Sequence, residues 1–550
     1  MVLNRIAFYI NKIKSAADWH LLAFLLLFLN VKLAVKIPAI ILIYIFRFNF
    51  KFGFKFKNSR LPLFYLLIMV IPFISILFNR QAVNLNYIVV ILIGMAFWLL
   101  CILAIHQVKF SVERNDTAII HQTLLVFFAV NALVSFINIA LIVKATGNIN
   151  PYTYQGEYQK YFISTGDYIR GLTFDTSTTN AVLSAFGVVY FLGRKNAVML
   201  FVCMATLLLT GSNFINLVLL LIFILLFAFK TDKLQKSFIV ICLVFLGIFM
   251  AKVSPQNDKY ASETVARLFH KEVVTPLPVT GINIAAANNT PLTLDERRRK
   301  MALAYTDSVY AVLHPPKSVI VMPATEIYKA EGGRIAIKGP PIHTATYQSS
   351  TQTPPEQRQL VEFISTHKQA LAITGKEEAL PTLPGKAAGF LQTINFFHGN
   401  PARILAGAGM GNFSSKLAFR ATGLGFAGGY PHKFIYIDHD FMVNHLNLYL
   451  NFFSRRSGFH SLTNSPFSVY DQLLGEYGLI GLLVFAIYYL GFFARHYKKL
   501  TYGLPVLLLM LSAFFVEYWF EQLSVLILFE LLLLLNIKEN STPKPLTNEL

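Results

Sequence analysis

Runs of apolar residues as long as a bilayer is thick recur through this chain, and no other feature limits its fold so severely. A hydrocarbon core of about 30 Å takes roughly 20 helical residues to cross. Inside it every backbone N–H and C=O must find a partner within the protein, so a continuous apolar run of that length folds as a helix. Such runs lie at about 62–79, 86–106, 118–143, 173–193, 196–211, 213–230, 236–253, 467–493, 502–517 and 520–537. A further run, 21–46, is broken by Asn30, Lys32 and Lys36. It is long for one helix and short for two, and we read it as a tight pair turning near Asn30. The expectation is an all-α polytopic membrane protein of about twelve transmembrane helices. With 55% hydrophobic and only 14% charged residues, the composition is far from that of a soluble domain.

The net charge of +20 would point to nucleic acid in a soluble chain. Here most short basic clusters flank apolar runs, which indicates topology and lipid headgroups instead, with no nucleic-acid partner. Arg5, Lys12 and Lys14 precede the first run with no small-residue cleavage site, so an uncleaved first span is expected. With the N-terminus in the cytoplasm, the inside connectors are Arg47–Arg60, Gln107–Asp116, Gly193–Asn196, Lys230–Lys236, Arg495–Lys499 and the tail from Lys538. All carry basic residues. The short outside turns Asn79–Asn86, Thr210–Asn213 and Val516–Glu521 hold a single one, Arg80. This asymmetry predicts spans one to nine within 1–253, a large periplasmic loop at 254–466, spans ten to twelve within 467–537 and a cytoplasmic tail at 538–550.

The long polar segment holds helical signals at Leu294–Val312, strand-like runs at Ser318–Met322 and Gly333–Lys338, and a Gly- and aromatic-rich second half. Cys101, Cys203 and Cys242 all fall in apolar runs, which leaves the loop no disulfide scaffold. His432, His439, His445 and His460 do not follow common metal-ligand spacings, so surface histidines and no metal are expected. Where the loop meets the next apolar run, Ser465 suits a helix N-cap and Pro466 its first position. That arrangement sets His460 and Asn464 above the mouth of a helix whose end favours anions, with Arg455 and Arg456 just upstream.

Four local patterns carry a family resemblance. They are Arg170-Gly171-Leu172-Thr173-Phe174-Asp175; Thr210-Gly211-Ser212-Asn213; Asn400-Pro401-Ala402-Arg403 through Gly407-Ala408-Gly409-Met410-Gly411-Asn412-Phe413; and His460 to Asn464 followed by Leu474-Gly475-Glu476-Tyr477-Gly478-Leu479-Ile480-Gly481. In this order, with a late large outer loop, the chain resembles the O-antigen ligase and polymerase (Wzy-type) superfamily of bacterial membrane glycosyltransferases. Two departures stand out. Asn213 occupies a place where the family often has arginine, and His460 lies farther from the final Gly-Leu-Ile-Gly than is usual there.

The resemblance implies transfer or polymerisation of oligosaccharide from a polyprenyl-pyrophosphate carrier onto a glycan or lipid-linked acceptor, at the outer face of the bacterial inner membrane, without metal or other cofactor. The leaving pyrophosphate needs cations, and guanidinium groups pair well with phosphate oxygens. Arg170 and Arg403 are the first candidates, with Arg420, Arg455 and Arg456 as further phosphate or sugar contacts. The acceptor hydroxyl needs a base, for which His460 is the expectation. Ser212, Asn213, Asn464 and Glu476 complete the expected substrate-binding set. Membrane lipid and a chain-length regulator or flippase are the other expected partners. The rival expectation is a polysaccharide-lipid transporter, which calls for two similar halves and polar or broken spans near the midplane.

Overall fold

A computed structural model describes residues 17–29, 33–46, 61–79, 84–153, 165–173, 176–229, 231–254, 327–329, 335–337, 384–422, 430–453, 462 and 465–541. Helices dominate. The apolar runs form α1 (Trp19–Leu29), α2 (Leu33–Phe46), α3 (Phe64–Asn79), α4 (Leu85–Arg114), α5 (Thr117–Thr146), α6 (Ser177–Gly193), α7 (Ala197–Leu209), α8 (Asn213–Phe229) and α9 (Lys233–Val253). The segment before the last runs contains α10 (Gly385–Gly399), α11 (Lys416–Ala421), α12 (His439–Asn444) and α13 (Leu446–Phe453). After it come α14 (Val469–Ala494), α15 (Gly503–Ala513), the short α16 (Trp519–Gln522) and α17 (Ser524–Glu539). Four of these, α4, α5, α9 and α14, are long and apolar enough to cross a membrane.

The first run divides as expected, with α1 ending at Leu29 and α2 beginning at Leu33. One departure from an all-helical chain is a short antiparallel ladder, β1 (Ile327–Lys329) with β2 (Ile335–Ile337). β2 falls inside the strand-like run Gly333–Lys338. Leu294–Val312, Ser318–Met322 and Arg47–Arg60 lie outside the described residues.

Side-chain caps decide where several helices begin. Asn84, Thr176 and Asn196 each accept a backbone N–H of the first turn. Asp232 and Gln235 form a reciprocal capping box. The helix after the polar segment begins later than expected. Ser468, not Ser465, is the cap of α14 and accepts from Asp471 N. Ser465 Oγ donates to Leu462 O, and Pro466 sits before the helix with its carbonyl accepting from Tyr518 Oη. Likewise α6 starts at Ser177 rather than at 173, because Gly171–Thr173 forms a separate 3-10 turn.

Polar contacts gather the connectors at two ends of the bundle. At one end the Asp18 carboxylate accepts from Asn115 Nδ2 (2.6 Å), and Lys538 Nζ donates to Val112 O (2.7 Å) and Asn115 O (2.6 Å). Glu539 takes His121, Arg194 and Tyr502 there, and Lys195 pairs with Asp232. Lys499 Nζ reaches Ser541 Oγ (2.9 Å). These are the connectors that carry the basic residues. At the other end Tyr152 Oη donates to Leu209 O (2.6 Å), Asn150 Nδ2 to Val253 O (2.8 Å) and Asn86 Nδ2 to Ile435 O (3.0 Å).

The core between the ends is aromatic. Phe64, Trp98, Phe485, Tyr489, Phe514 and Phe520 form a continuous set of ring contacts, with centroids 5.2 Å apart for Phe64–Phe520 and 5.3 Å for Trp98–Phe520. Within the bundle Glu530 accepts from Tyr65 Oη and from Tyr489 Oη (3.0 Å), and the buried Lys36 ammonium donates to Gln522 O.

Candidate active site

Two of the sequence patterns meet in one clasp. Helix α14 is broken at Gly478, whose φ of 66° lies in the left-handed region. In an unbroken helix Leu479 N and Ile480 N would bond to the carbonyls of residues 475 and 476. Instead they donate to Ile404 O (2.8 Å) and Leu405 O (3.1 Å). The carbonyls left behind are filled from the same loop: Ala408 N donates to Gly475 O (2.9 Å) and Gly409 N to Glu476 O (3.1 Å). The approach is close enough to demand glycine on both sides. A Cβ on Gly478 would lie 2.4 Å from Leu405 O, and one on Gly407 (φ 71°) 2.5 Å from Glu476 O. Irregular backbone inside a membrane protein survives only where protein or water satisfies it, and here the loop does.

Glu476 completes the clasp. Its Oε2 accepts from Gly411 N (2.7 Å), and its Oε1 from the N–H groups of Phe413 (3.2 Å), Ser414 (3.3 Å) and Ser415 (3.0 Å). A buried carboxylate ringed by backbone donors is an anchor for the glycine-rich loop. Glu476 also lines the small cavity beside the clasp.

Cations surround this unit. Arg403 is paired with Asp440 and lies 5.7 Å from the Phe396 ring centre. Arg420 sits over Phe97 at 5.5 Å. Lys416 is 3.9 Å from Glu517 and 5.6 Å from the Phe467 ring. Lys386 Nζ donates to Phe467 O (2.5 Å). Burial of its ammonium outweighs the nearby Glu517 and Asp471 and pulls its pKa down to about 7. Asp438, the N-cap of α12, is pushed up to about 6, first by burial and then by the charge of Asp440. Beneath Arg420 a small cavity opens between α4, the glycine-rich loop and α14, lined among others by Trp98, Met410, Gln472, Tyr477 and Glu521.

His445 corrects the expectation of surface histidines. It is fully buried, with Nε2 2.9 Å from Asp471 Oδ2 and its ring 4.6 Å from that of Phe413. Asp471 Oδ1 accepts from Thr393 Oγ1 (2.6 Å). The three residues are 26 and 78 positions apart in the pairs that touch, so no local spacing announces them. Only the burial of a His next to an apolar helical stripe would have hinted at it.

The other two patterns also adjoin each other. A Cβ on Gly166 would lie 2.3 Å from Thr210 O, so the turn before Arg170 rests on the turn Thr210–Gly211. The Arg170 loop is held from below by side-chain amides, of which Asn131 and Asn180 are buried. Gly171 N donates to Asn138 Oδ1 (3.1 Å), Leu172 N to Asn131 Oδ1 (3.0 Å), and Asn180 Nδ2 to Ile169 O (2.9 Å). Arg170 itself is exposed. Ser212 and Asn213 open α8, where Ser212 O accepts from Asn216 N (3.0 Å). The Arg170 guanidinium makes no hydrogen bond or ion pair to another described residue, whereas Arg403 is engaged by Asp440. The structure therefore does not join these two arginines by direct contact. His460, Arg455, Arg456 and Asn464 lie outside the described residues. Among the described residues no group of three or more His, Cys, Asp or Glu side chains is arranged to hold a metal.

Together these features define a helical protein with four helices suited to crossing a membrane and, at one end of the bundle, a glycine-clasped loop ringed by cations. No family model, curated protein or solved structure matches the chain.

Proposed function

We propose that this chain is a membrane glycosyltransferase that transfers or polymerises oligosaccharide from a polyprenyl-pyrophosphate carrier. In this reading about twelve helices span the bacterial inner membrane, both termini are cytoplasmic and residues 254–466 form a periplasmic segment. The observation that carries the reading is the clasp. Asn400–Phe413 and Leu474–Gly481, two patterns that carry the resemblance, interlock through four exchanged backbone hydrogen bonds and the Glu476 carboxylate. Arg403, Arg420 and Lys416 stand around that unit. The Arg170 loop lies at the same end of the bundle, near Tyr152 and Leu209.

The chemistry follows from the groups present. The acceptor oxygen bonds to the anomeric carbon of the donor as its proton passes to a base, His460. The bond from that carbon to the pyrophosphate oxygen breaks, and the electron pair leaves on phosphate. Guanidinium groups offset that charge through paired hydrogen bonds. Arg403 reaches phosphate by exchanging its Asp440 partner, and Arg170 is already free of one among the described residues.

Purified protein, a lipid-linked oligosaccharide and a glycan acceptor, assayed with and without chelator, test this directly. Transfer is expected in both conditions. His460→Ala and Arg170→Ala proteins are expected to insert normally and to lose at least about a hundredfold in rate. Full activity in both variants would remove the proposed site.

A transport reading draws on different observations: the break in α14 and the buried Lys36 and Glu530 within the bundle. Polar groups and broken helices in spans mark substrate pathways in transporters. Movement of a labelled lipid-linked glycan across proteoliposomes, with no new glycosidic bond, would favour it.

A further inference from the structure

Helix α10 carries its aliphatic side chains on the outside. Its single charged residue is Lys386, whose ammonium turns to Phe467 O (2.5 Å). Gln392 and Thr393 are buried beside Phe396 and Phe397, and Thr393 Oγ1 donates to Asp471 Oδ1. Leu391 and Ile394 face outward, 43% and 56% exposed. The other polar side chains exposed on α10 are Asn395 and His398, with no Asp, Glu or Arg among them. A helix on the surface of a soluble domain has the opposite arrangement, with its apolar stripe inward and its charges outward.

The helix and the loop after it run along α14 and return. Lys386 meets Phe467, Thr393 meets Asp471, and Ile404 O and Leu405 O accept from Leu479 N and Ile480 N. From Asp471 to Ile480 that course is roughly 13 Å at 1.5 Å per residue. Ser414 Oγ then brings the chain back to Asp471 O (2.8 Å). Ile404 and Leu405, at the turning point, are 38% and 58% exposed. They adjoin Leu479, Ile480 and Leu483, the exposed apolar face of α14. That helix is long and apolar enough to cross a membrane, and the outward aliphatic face of a spanning helix meets acyl chains. The two faces form one continuous surface, so the medium that covers one covers the other. Irregular backbone at such depth must be satisfied by protein, which the clasp and the Glu476 carboxylate accomplish.

We propose that residues 385–415 form a re-entrant half-span. Helix α10 and the clasp loop enter the lipid leaflet at this end of the bundle, with Leu391, Ile394, Ile404 and Leu405 against acyl chains. The partner is the hydrocarbon of the bilayer itself. The proposal requires a membrane but not glycosyl transfer, and it draws the end of the polar segment 254–466 into the bilayer.

The test uses the full chain in nanodiscs of phosphatidylethanolamine and phosphatidylglycerol. Nitroxide labels are placed on single cysteines at Leu391, Ile394 and Leu405, with Leu483 as the lipid reference and Asn148 as the water reference. The native cysteines are buried. Collision with oxygen should exceed collision with a water-soluble nickel chelate severalfold at the three sites, as at Leu483, and the ratio should reverse at Asn148. A photoactivatable acyl chain in the same discs should mark 391–405 in the wild-type protein, a readout that needs no substitution. Nickel contact at the three sites equal to that at Asn148, with no lipid adducts, would place this face in water and overturn the proposal. Labels open to neither collider would show protein covering the face and would overturn it too. Were Leu483 itself to read as water-exposed, the membrane reading would fall along with it.

Discussion

Lys386 and Asp438 stand among α10–α13 with their charges partly withdrawn from water, and their proton equilibria move in opposite senses. Asp438 keeps its proton up to about 6 in the folded chain, against 3.8 for a free side chain. The folded state thus binds that proton more tightly than the unfolded one, and the associated stability is complete below pH 3.8 and lost as pH rises through 6. Lys386 gives up its proton near 7 instead of 10.5. Its contribution is complete above pH 10.5 and lost as pH falls through 7. Thermal unfolding in detergent should therefore show stability falling between about pH 4 and 6 and recovering between about pH 7 and 10.5. Asp438→Asn should flatten the acid limb and Lys386→Met the alkaline one. Limbs unaltered by both substitutions would show that these groups are not held as described. Neither residue stood out in the sequence, since a lone Lys or Asp in a polar stretch carries no sign of its burial. His445 and Asp471 were hidden for the same reason. Their pairing depends on how α12, α13 and α14 come together.

At the scale of the element, α14 shows what local pattern reveals and what it leaves out. Ser465 and Pro466 suit a helix opening, yet Ser468-Val469-Tyr470-Asp471 is the fuller signal, with an acid three residues beyond the cap. The glycines of the two matching patterns were visible as patterns, but not their reason, which is that the two backbones approach within reach of each other's carbonyls. Gly478→Ala tests that reason. The backbone conformation, with φ 66° and ψ −165°, alone costs an alanine about 1–3 kcal/mol, and its Cβ would meet Leu405 O at 2.4 Å. The variant should melt several degrees lower and become open to proteolysis within 404–411. An alanine accepted with no change in either would mean that the loop does not clasp the helix here.

For the whole molecule, hydropathy located the apolar helices well because a membrane imposes length and composition together. The gathering of Asn115, Arg194, Lys195, Lys499 and Lys538 at one end of the bundle is the three-dimensional counterpart of the basic connectors. Sidedness can be read by thiol labelling, because Cys101, Cys203 and Cys242 are buried and give little background. Cysteines placed at Lys195 and Lys499 should resist an impermeant reagent in intact cells, while one at Asn148 should react. Labelling with the reverse pattern would invert the topology. What sequence could not supply was the convergence of distant groups: Gln472 with Glu521, and Thr393 with Asp471, meet only because the helices fold back on one another.

The bond exchange at Gly478 has a mechanical corollary. The two N–H groups that α14 lends to Ile404 and Leu405, and the two carbonyls it lends to Ala408 and Gly409, are each other's natural mates. Were the loop to withdraw, they would re-pair along a straightened helix and lose nothing, and only the loop's own groups and Glu476 would have to turn to water. Withdrawal would leave two helical bonds where the clasp has four, so the closed arrangement is the better bonded one.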